Sequence, residues 1–293
     1  MKLEYIINNL TKYETIKQVL KEEFHLSDRL ITKLKLSNKI FLNNQSTHIN
    51  KKIEIGNLVK IDLDFVETCD NIVATQMELD ILYEDDGILI INKPPFVPIH
   101  PSINHYEDSL SNGVKYYFNS IGLKRKIRPV NRLDKNTSGI VIFAKNEYIQ
   151  ELLIQQMKLG DFKKEYFALA NGIIDKDFQI INAPIARKAD SIIERCISEK
   201  GDKAITEVQL IKKYDNYSLI KCNLKTGRTH QIRVHLKYIG HPIFGDDLYG
   251  KKTELIGRQA LHAYKVSFIH PINKQKIEIE APIPNDLTKI ISS

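Results

Sequence analysis

Residues 128–139 of the chain read RPVNRLDKNTSG, and their position between two predicted strands makes this the stretch that decides the fold. A short strand is predicted to end at Val130, and the apolar residues 139–144 predict a second strand. Asp134 lies on the loop that connects them. Because a loop anchored in a sheet can hold a side chain in a fixed position, this segment is the first candidate for a functional site.

The charged residues of this loop indicate its chemistry. Arg132 and Lys135 flank Asp134, and their positive charges favour the ionised form of its carboxylate. An ionised carboxylate in a fixed position can attack an electrophilic carbon and form a covalent intermediate. The alternative is that Asp134, Asn136 and Thr137 only cap a turn, as short polar side chains often do.

The chain beyond Leu79 alternates predicted strands and helices. Asp215-Asn216 separates two strand-like runs and predicts a hairpin turn. The mixture of hairpins and crossover helices predicts an α+β fold around a mixed, largely antiparallel central sheet. The predicted strands are residues 88–92, 139–144, 165–170, 204–214, 217–224, 261–270 and 276–280, and the predicted helices are residues 109–118, 147–159 and 229–238.

The first 65 residues have a different pattern. Residues 13–24 place apolar side chains on one helical face, and Ser27 can cap a second helix whose buried side carries Leu30, Ile31 and Leu34. Short strands are predicted at 40–42 and 59–63, and the first of them ends in an Asn43-Asn44 turn. We therefore predict a small domain over residues 1–68, a linker over 69–78 and a catalytic domain over 79–293.

The segment SDRLITKLKLSNKIFLNNQSTHINKKIEIGNLVKIDL within this small domain resembles the RNA-binding domain of a small-subunit ribosomal protein of the S-four type. The pattern of the second helix places Arg29, Lys33 and Lys35 at accessible positions, and the resemblance implies that they lie near RNA phosphates. A plain docking domain without RNA contacts is the alternative, since short helical patterns with scattered lysines are common.

Two further motifs lie in the large domain. Tyr166 stands in the predicted strand KKEYFALA, residues 163–170, where an aromatic ring usually packs against the sheet. The segment KTGRTHQIRVH, residues 225–235, follows a strand and opens a helix that Thr229 can cap. Exposed backbone amides at that helix start, together with Arg228, predict a phosphate site. A surface helix start would explain Arg228 alone, but not the whole segment.

The string NRLDKNTSG closely resembles the H-R-L-D-x-x-T-S-G motif of the RluA-type pseudouridine synthases, and K-E-Y and T-G-R-T-H-Q-I-R-V-H resemble later motifs of that family. The resemblance implies that Asp134 is the catalytic nucleophile and that Arg233 pairs with it. It also implies that Tyr166 stacks on the flipped uracil and that Arg132 enters the RNA. The other implied substrate-binding residues are Arg228, Lys164 and His230.

Three other segments agree with this family in order and spacing. They are residues 92–101, 240–250 and 261–264. Two departures are visible, because Asn131 stands where the family usually has His, and Phe96 replaces a glycine. Together the matches extend over nearly the whole large domain, so they carry more weight than any one motif.

Composition limits the classes of partner. The formal charge is +7, which favours a polyanion such as RNA without requiring one. The three cysteines form no C-x-x-C pair, the histidines form no H-E-x-x-H motif, and phosphate-binding glycine loops are missing, so we expect no metal and no cofactor. The sequence has neither a long apolar run nor a signal-peptide pattern, so we expect a cytoplasmic protein without membrane contact. A monomer is the default expectation.

The resemblance to the RluA-type synthases implies an isomerase that converts uridine to pseudouridine in RNA, with ribosomal large-subunit RNA as the first candidate target and tRNA as the second. A non-catalytic RNA-binding or ribosome-assembly factor would keep the lysines but would not need Asp134, Tyr166 and Arg233 together. A glycoside hydrolase that uses Asp134 would usually need a second carboxylate as acid and base, and no motif supplies one.

Overall fold

The computed structural model describes residues 1–8 and 13–292. Its N-terminal part contains two helices and a four-stranded antiparallel sheet in the order β1-β4-β2-β3. The elements are β1 (Lys2–Ile6), α1 (Ile16–Glu22), α2 (Asp28–Leu36), β2 (Ile40–Leu42), β3 (Gln45–Ser46) and β4 (Leu58–Asp62). Both helices and strands β2 and β4 correspond to predicted elements, whereas β1 has no counterpart in the sequence-based prediction.

Local signals explain the second helix and the turn that follows β2. The hydroxyl of Ser27 accepts a hydrogen bond from the backbone N–H of Leu30 at 3.3 Å, which confirms the predicted N-cap. Asn43 and Asn44 adopt positive φ angles of 52° and 66°. Asparagine tolerates this left-handed conformation better than most residues, so the predicted turn is also confirmed.

The large part of the chain is built on a nine-stranded sheet in the order β5-β6-β7-β14-β8-β13-β12-β9, with β15 paired to β14. Of the strand pairs in this sheet, only β7–β14 is parallel, so the predicted mixed, largely antiparallel α+β fold is confirmed. The elements are β5 (Ile81–Glu84), β6 (Ile88–Lys93), α3 (Leu110–Ser120), β7 (Ser138–Ala144), α4 (Glu147–Leu159), β8 (Lys163–Asn171), β9 (Phe178–Asn182), β10 (Ile185–Arg187), β11 (Arg195–Ile197), β12 (Ile205–Lys213), β13 (Tyr217–Leu224), α5 (Gln231–Tyr238), β14 (Leu261–Ile269), β15 (Lys276–Glu280) and α6 (Asn285–Ser292).

Strand β7 lies between two apolar clusters. All seven of its residues are buried, and successive side chains point to opposite faces of the sheet. Ile140 and Ile142 pack in the cluster that contains α4 and the N-terminal helices, whereas Val141 and Phe143 pack in the cluster that contains α3. The strand that follows Asp134 is therefore anchored on both faces.

Two predictions near the site were wrong. The segment that ends at Val130 forms an isolated bridge, Pro129 with Phe143, rather than a strand. The N–H of Ile142, which would donate to the Val130 carbonyl in a continued ladder, donates instead to the side chain of Asn131. Helix α5 begins at Gln231, and its N-cap is His230 rather than Thr229. His230 has a φ of 57° and makes no side-chain cap bond.

The predicted linker contains no helix or strand between residues 69 and 78, but it is not detached from the rest of the chain. Cys69 and Ile72 are buried against Leu110, Val114 and Phe118 of α3. Burial of these side chains holds the segment on the surface of the large part.

Lys33 lies at the contact between the two parts of the chain. Its ammonium donates to Glu67 at 3.1 Å and to Glu147 at 3.0 Å, and it lies 4.1 Å from the centre of the Phe65 ring. The Lys33 ammonium therefore lies between two carboxylates, and with 32% of its side chain exposed the residue is less accessible than the sequence predicts. Arg29 and Lys35 are exposed, as predicted.

We expect Gly139→Ala to destabilise the protein far more than Gly122→Ala. Both glycines have positive φ, but a methyl group at Gly139 would collide with the backbone of Ala263 in β14, whereas nothing lies within 4 Å of one at Gly122. The added collision should raise the cost from about 1–2 kcal/mol at Gly122 to about 3–5 kcal/mol at Gly139. Urea denaturation measures both changes, and equal losses would contradict the close approach of β7 to β14.

Candidate active site

A cleft of about 1010 Å³ opens between the Asp134 loop, the start of β8, the β12–β13 pair and the N-terminus of α5. Seven residues that the sequence singles out line this cleft although they come from distant parts of the chain. They are Arg132, Asp134, Lys164, Tyr166, Arg228, His230 and Arg233. The remaining three, Arg29, Lys33 and Lys35, lie on α2, outside the cleft.

Arg233 connects two carboxylates on this wall of the cleft. Its Nη1 donates to Oδ2 of Asp134 at 3.1 Å, so the predicted contact is present. Its Nε and Nη2 donate to the two oxygens of Asp246 at 2.7 Å and 2.8 Å. The fork-shaped pair with Asp246 fixes the guanidinium plane, and the remaining nitrogen then points at Asp134.

Asp246 is fully buried, and its carboxylate accepts hydrogen bonds from one cation and two backbone N–H groups. Besides Arg233, the backbone N–H groups of Leu248 and Tyr249 each donate to it at 3.0 Å. Burial opposes ionisation, but the hydrogen bonds and charge of Arg233 outweigh it and hold the pKa of Asp246 below its usual range. Sequence analysis missed this residue, although it lies in the quoted segment 240–250.

The loop that carries Asp134 is held by several side chains from the sheet. Asn131 donates to the carbonyl of Ile140 and accepts from the N–H of Ile142, both at 2.9 Å. The side chain at the position where the family has His is thus fully engaged with β7. On the other side of the loop, Gln259 donates to the hydroxyl of Thr137 at 3.1 Å.

Two buried cations complete this support. Lys93 donates to the carbonyls of Pro94, Val97 and Lys135 at 2.8, 2.9 and 3.0 Å, and burial lowers its pKa to about 7. Arg258 donates to the carbonyl of Asn136 at 3.3 Å and forms a two-point pair with Asp286 of α6. The backbone carbonyls of Lys135 and Asn136, which directly follow Asp134, are therefore each held by a hydrogen bond from a buried basic side chain.

Tyr166 and Lys164 enter the cleft from β8. The Tyr166 ring is buried, and burial together with the negative charge of Asp134 raises its pKa, so the phenol stays protonated. Lys164 is half-buried, and burial lowers its pKa. A flat ring and a cation that line one cleft suit a base and its phosphate.

The predicted phosphate site at the start of α5 is only partly present. The backbone N–H of Arg228 donates to the side chain of Gln231 at 3.0 Å, so this amide is not open to a ligand. The Arg228 guanidinium lies 3.3 Å from Asp202, and both side chains are exposed. Arg132 is exposed at the rim and directs its charge to solvent, as a residue that contacts RNA would need to do.

Within residues 1–8 and 13–292, no group of three or more His, Cys, Asp and Glu side chains is arranged so that it could hold a metal ion. Within the same residues, the structure contains no helix that is long and apolar enough to cross a membrane.

A family model described as RNA pseudouridylate synthase matches residues 87–238, which include the Asp134 loop, Tyr166 and Arg233. The chain belongs to this family. It is therefore an isomerase that converts uridine to pseudouridine in RNA, as the motifs predicted, and the interpretations as a non-catalytic factor and as a glycoside hydrolase are wrong.

Relatives of this synthase agree with the assignment. It is 37% identical over 270 residues to the uncharacterised RNA pseudouridine synthase YjbO of Bacillus subtilis, with 92% of this chain and 95% of that protein covered. It is 37% identical over 233 residues to the ribosomal large subunit pseudouridine synthase D of Neisseria meningitidis serogroup B, with 75% and 62% covered. The solved structure of human RNA pseudouridylate synthase domain containing 1 has a TM-score of 0.59, 26% identity, and coverage of 70% and 83%.

We expect Asp246→Asn to lower both the stability and the rate of this synthase. Removing one charge of a buried pair leaves Arg233 incompletely compensated, which should cost about 3 kcal/mol and release the guanidinium from its orientation toward Asp134. Urea denaturation and single-turnover pseudouridine formation measure the two effects. Asp202→Asn, at an exposed pair with Arg228, is the matched control and should change stability by less than about 0.5 kcal/mol. Equal behaviour of the two variants would contradict the role of Asp246.

Proposed function

We propose that this synthase acts on uridines of structured RNA with Asp134 as the nucleophile. The observation that carries the proposal is the convergence of Asp134, Arg233 and Tyr166 on one cleft, although the three residues come from a loop, a helix and a strand that are far apart in sequence. A turn cap would need only its neighbours, so the simpler interpretation of Asp134 does not account for this arrangement.

The reaction requires the N1–C1′ bond of uridine to break, the uracil to rotate, and a new bond to form through C5. The chain's own groups can supply what these steps need. Asp134 supplies a carboxylate, which Arg233 orients with a charge-assisted hydrogen bond. Attack at C1′, a route through a glycal and addition at C6 all begin with this carboxylate.

The detached base must be kept in place and out of water, since hydrolysis would leave an abasic site. Tyr166 is positioned for this task because its ring is buried beside Asp134 at the floor of the cleft. A flat ring can stack on uracil in more than one orientation, which suits a base that must rotate. We therefore propose Tyr166 as the residue that stacks on the flipped base.

Access to the uridine requires the base to leave its helix. Arg132 is exposed two residues before Asp134, where it can occupy the place that the flipped base vacates. Unstacking costs about a few kcal/mol and costs least in loops and weak pairs, so we expect targets of that kind. Lys164 and Arg228 are the other cleft residues that we propose to contact RNA.

The first candidate target is ribosomal large-subunit RNA, and tRNA is the second. The name of the Neisseria relative, ribosomal large subunit pseudouridine synthase D, supports this order. The N-terminal part adds to it, because a separate module with exposed cations is useful for a large folded RNA. Chemical mapping of pseudouridine in RNA from a strain that lacks the gene would identify the position.

We expect Asp134→Ala to abolish the conversion of uridine in cellular RNA, with a loss of at least about 10³-fold in the single-turnover rate. Asp161→Ala, which removes an exposed carboxylate beside β8, serves as the matched control and should keep the wild-type rate. Mass spectrometry of digested RNA after timed incubation measures both variants. If the alanine variant at 134 converts uridine as fast as the wild type, the nucleophile is misassigned.

We also propose that Arg29 and Lys35 on α2 contact RNA phosphates. The charge reversal Arg29→Glu/Lys35→Glu should raise KM for the folded RNA by about 10-fold and leave kcat unchanged, since phosphate contacts supply binding and not chemistry. The pair Lys176→Glu/Lys289→Glu changes the net charge equally on the large part and should leave KM unchanged. An equal rise in KM for both pairs would show a general charge effect.

A further inference from the structure

A chain of polar contacts runs from the β10–β11 hairpin to Asp134. The backbone N–H of Arg195 donates to the hydroxyl of Tyr249 at 2.7 Å. This hydroxyl lies 2.9 Å from Nδ1 of His230, and the two rings meet edge to face at 5.6 Å. Nε2 of His230, on the far side of the imidazole, lies 3.8 Å from Oδ1 of Asp134. The path therefore ends on the carboxylate oxygen that Arg233 does not contact.

The direction of the hydrogen bonds follows from this order. A backbone N–H can only donate, so the Tyr249 oxygen accepts from Arg195 and keeps its own proton for another partner. Nδ1 of His230 lies within reach of that proton and can accept it. The opposite tautomer would turn the lone pair of Nε2 toward the carboxylate of Asp134, which is unfavourable. A neutral imidazole that accepts at Nδ1 carries its proton on Nε2, which is the nitrogen that faces Asp134.

The backbone at His230 shows that the ring is held in this position. At the N-cap of α5 the residue adopts a left-handed φ of 57°, which is uncommon for a residue other than glycine, and its side chain makes no capping hydrogen bond. Its side chain is only 12% exposed, between Tyr249 and Asp134. Strain of this kind persists where the surroundings determine the conformation, and it is concentrated at functional sites.

Burial of the His230 ring favours its neutral form. Burial lowers the pKa of His230, and Arg233 and Arg195 lower it further, whereas Asp134 and Asp246 oppose them. A neutral ring with its proton on Nε2 offers one donor to Oδ1 of Asp134, while Arg233 holds Oδ2.

We propose that His230, kept in its Nε2–H form by Tyr249, is a positioning residue that fixes the rotation of the Asp134 carboxylate. The inference rests on the proposed role of Asp134 as nucleophile. The 3.8 Å separation is longer than a hydrogen bond, and it shortens when RNA closes the cleft, as catalytic contacts often do on substrate binding. With both oxygens oriented, the carboxylate meets the flipped nucleoside in a single geometry.

Two substitutions at His230 distinguish the role of Nε2 from that of Nδ1. The amide nitrogen of His230→Gln reaches the place of Nε2, whereas that of His230→Asn reaches only the place of Nδ1. We expect His230→Asn to lower the single-turnover kcat by about 10- to 100-fold with KM for RNA unchanged, and His230→Gln to recover most of that loss. Equal loss in both variants, or a change confined to KM, would overturn the proposal.

Tyr249→Phe tests whether the hydroxyl acts through the imidazole. We expect a loss in kcat of about 10-fold, and the double variant Tyr249→Phe/His230→Asn should be no slower than His230→Asn alone, because two residues of one path are not additive. Tyr238→Phe, at an exposed tyrosine of α5, should keep the wild-type rate. Additive losses would show that Tyr249 only supports the hairpin and would contradict the path.

A measurement without RNA distinguishes this inference from the proposed function. Histidine ¹⁵N chemical shifts in the whole protein report which ring nitrogen carries the proton. We expect the Nε2–H form at His230 in the wild type and a mixture of both forms in Tyr249→Phe. An Nδ1–H form in the wild type would overturn the inference even if Asp134 is the nucleophile, whereas an active Asp134→Ala variant would overturn the proposed function and leave the tautomer assignment intact.

Discussion

The guanidinium of Arg233 is shared between two carboxylates, and the geometry of the site depends on this division. Asp246 takes two of the three nitrogens and is itself enclosed by the backbone amides of Leu248 and Tyr249, so the arginine has one orientation. The third nitrogen is left for Asp134. An isolated buried charge would be costly, but the carboxylate of Asp246 compensates the Arg233 cation independently of Asp134. Asp134 can then remain partly open to substrate.

Buried side chains also hold the loop that carries Asp134. The proposed nucleophile must be held more firmly than an ordinary loop allows, and here the backbone on both sides of Asp134 is bound to buried side chains. Asn131 fastens the upstream side to β7, while Lys93 and Arg258 bind the carbonyls of Lys135 and Asn136. Because Arg258 also pairs with Asp286, the last helix of the chain contributes to the position of the loop.

The contact between the two parts of the chain adds a second charged cluster. Glu67 accepts two hydrogen bonds from Arg128 at 2.8 Å each and one from Lys33 at 3.1 Å. Burial opposes its ionisation, but these cations outweigh it and lower its pKa to about 2. Arg128 begins the segment that leads to Asp134. Through Glu67, the cluster therefore connects α2 to the loop that carries Asp134. Arg29 and Lys35, exposed on the same helix, are thereby held at a defined place relative to the cleft.

The sequence by itself determined the fold class and the order of most elements, because alternating hydrophobicity is a local property. Its motifs also singled out Asp134, Tyr166 and Arg233 as the proposed site residues. It did not reveal that Lys33 is enclosed by Glu67 and Glu147, which are distant along the chain. Nor did it reveal Asp246, Arg258 or the contact of Tyr249 with His230. These depend on side chains that only the closed sheet and its covering helices bring together, and no periodicity records which residues will meet. The motifs thus singled out the proposed reacting groups, whereas the tertiary structure decided their partners and their orientation.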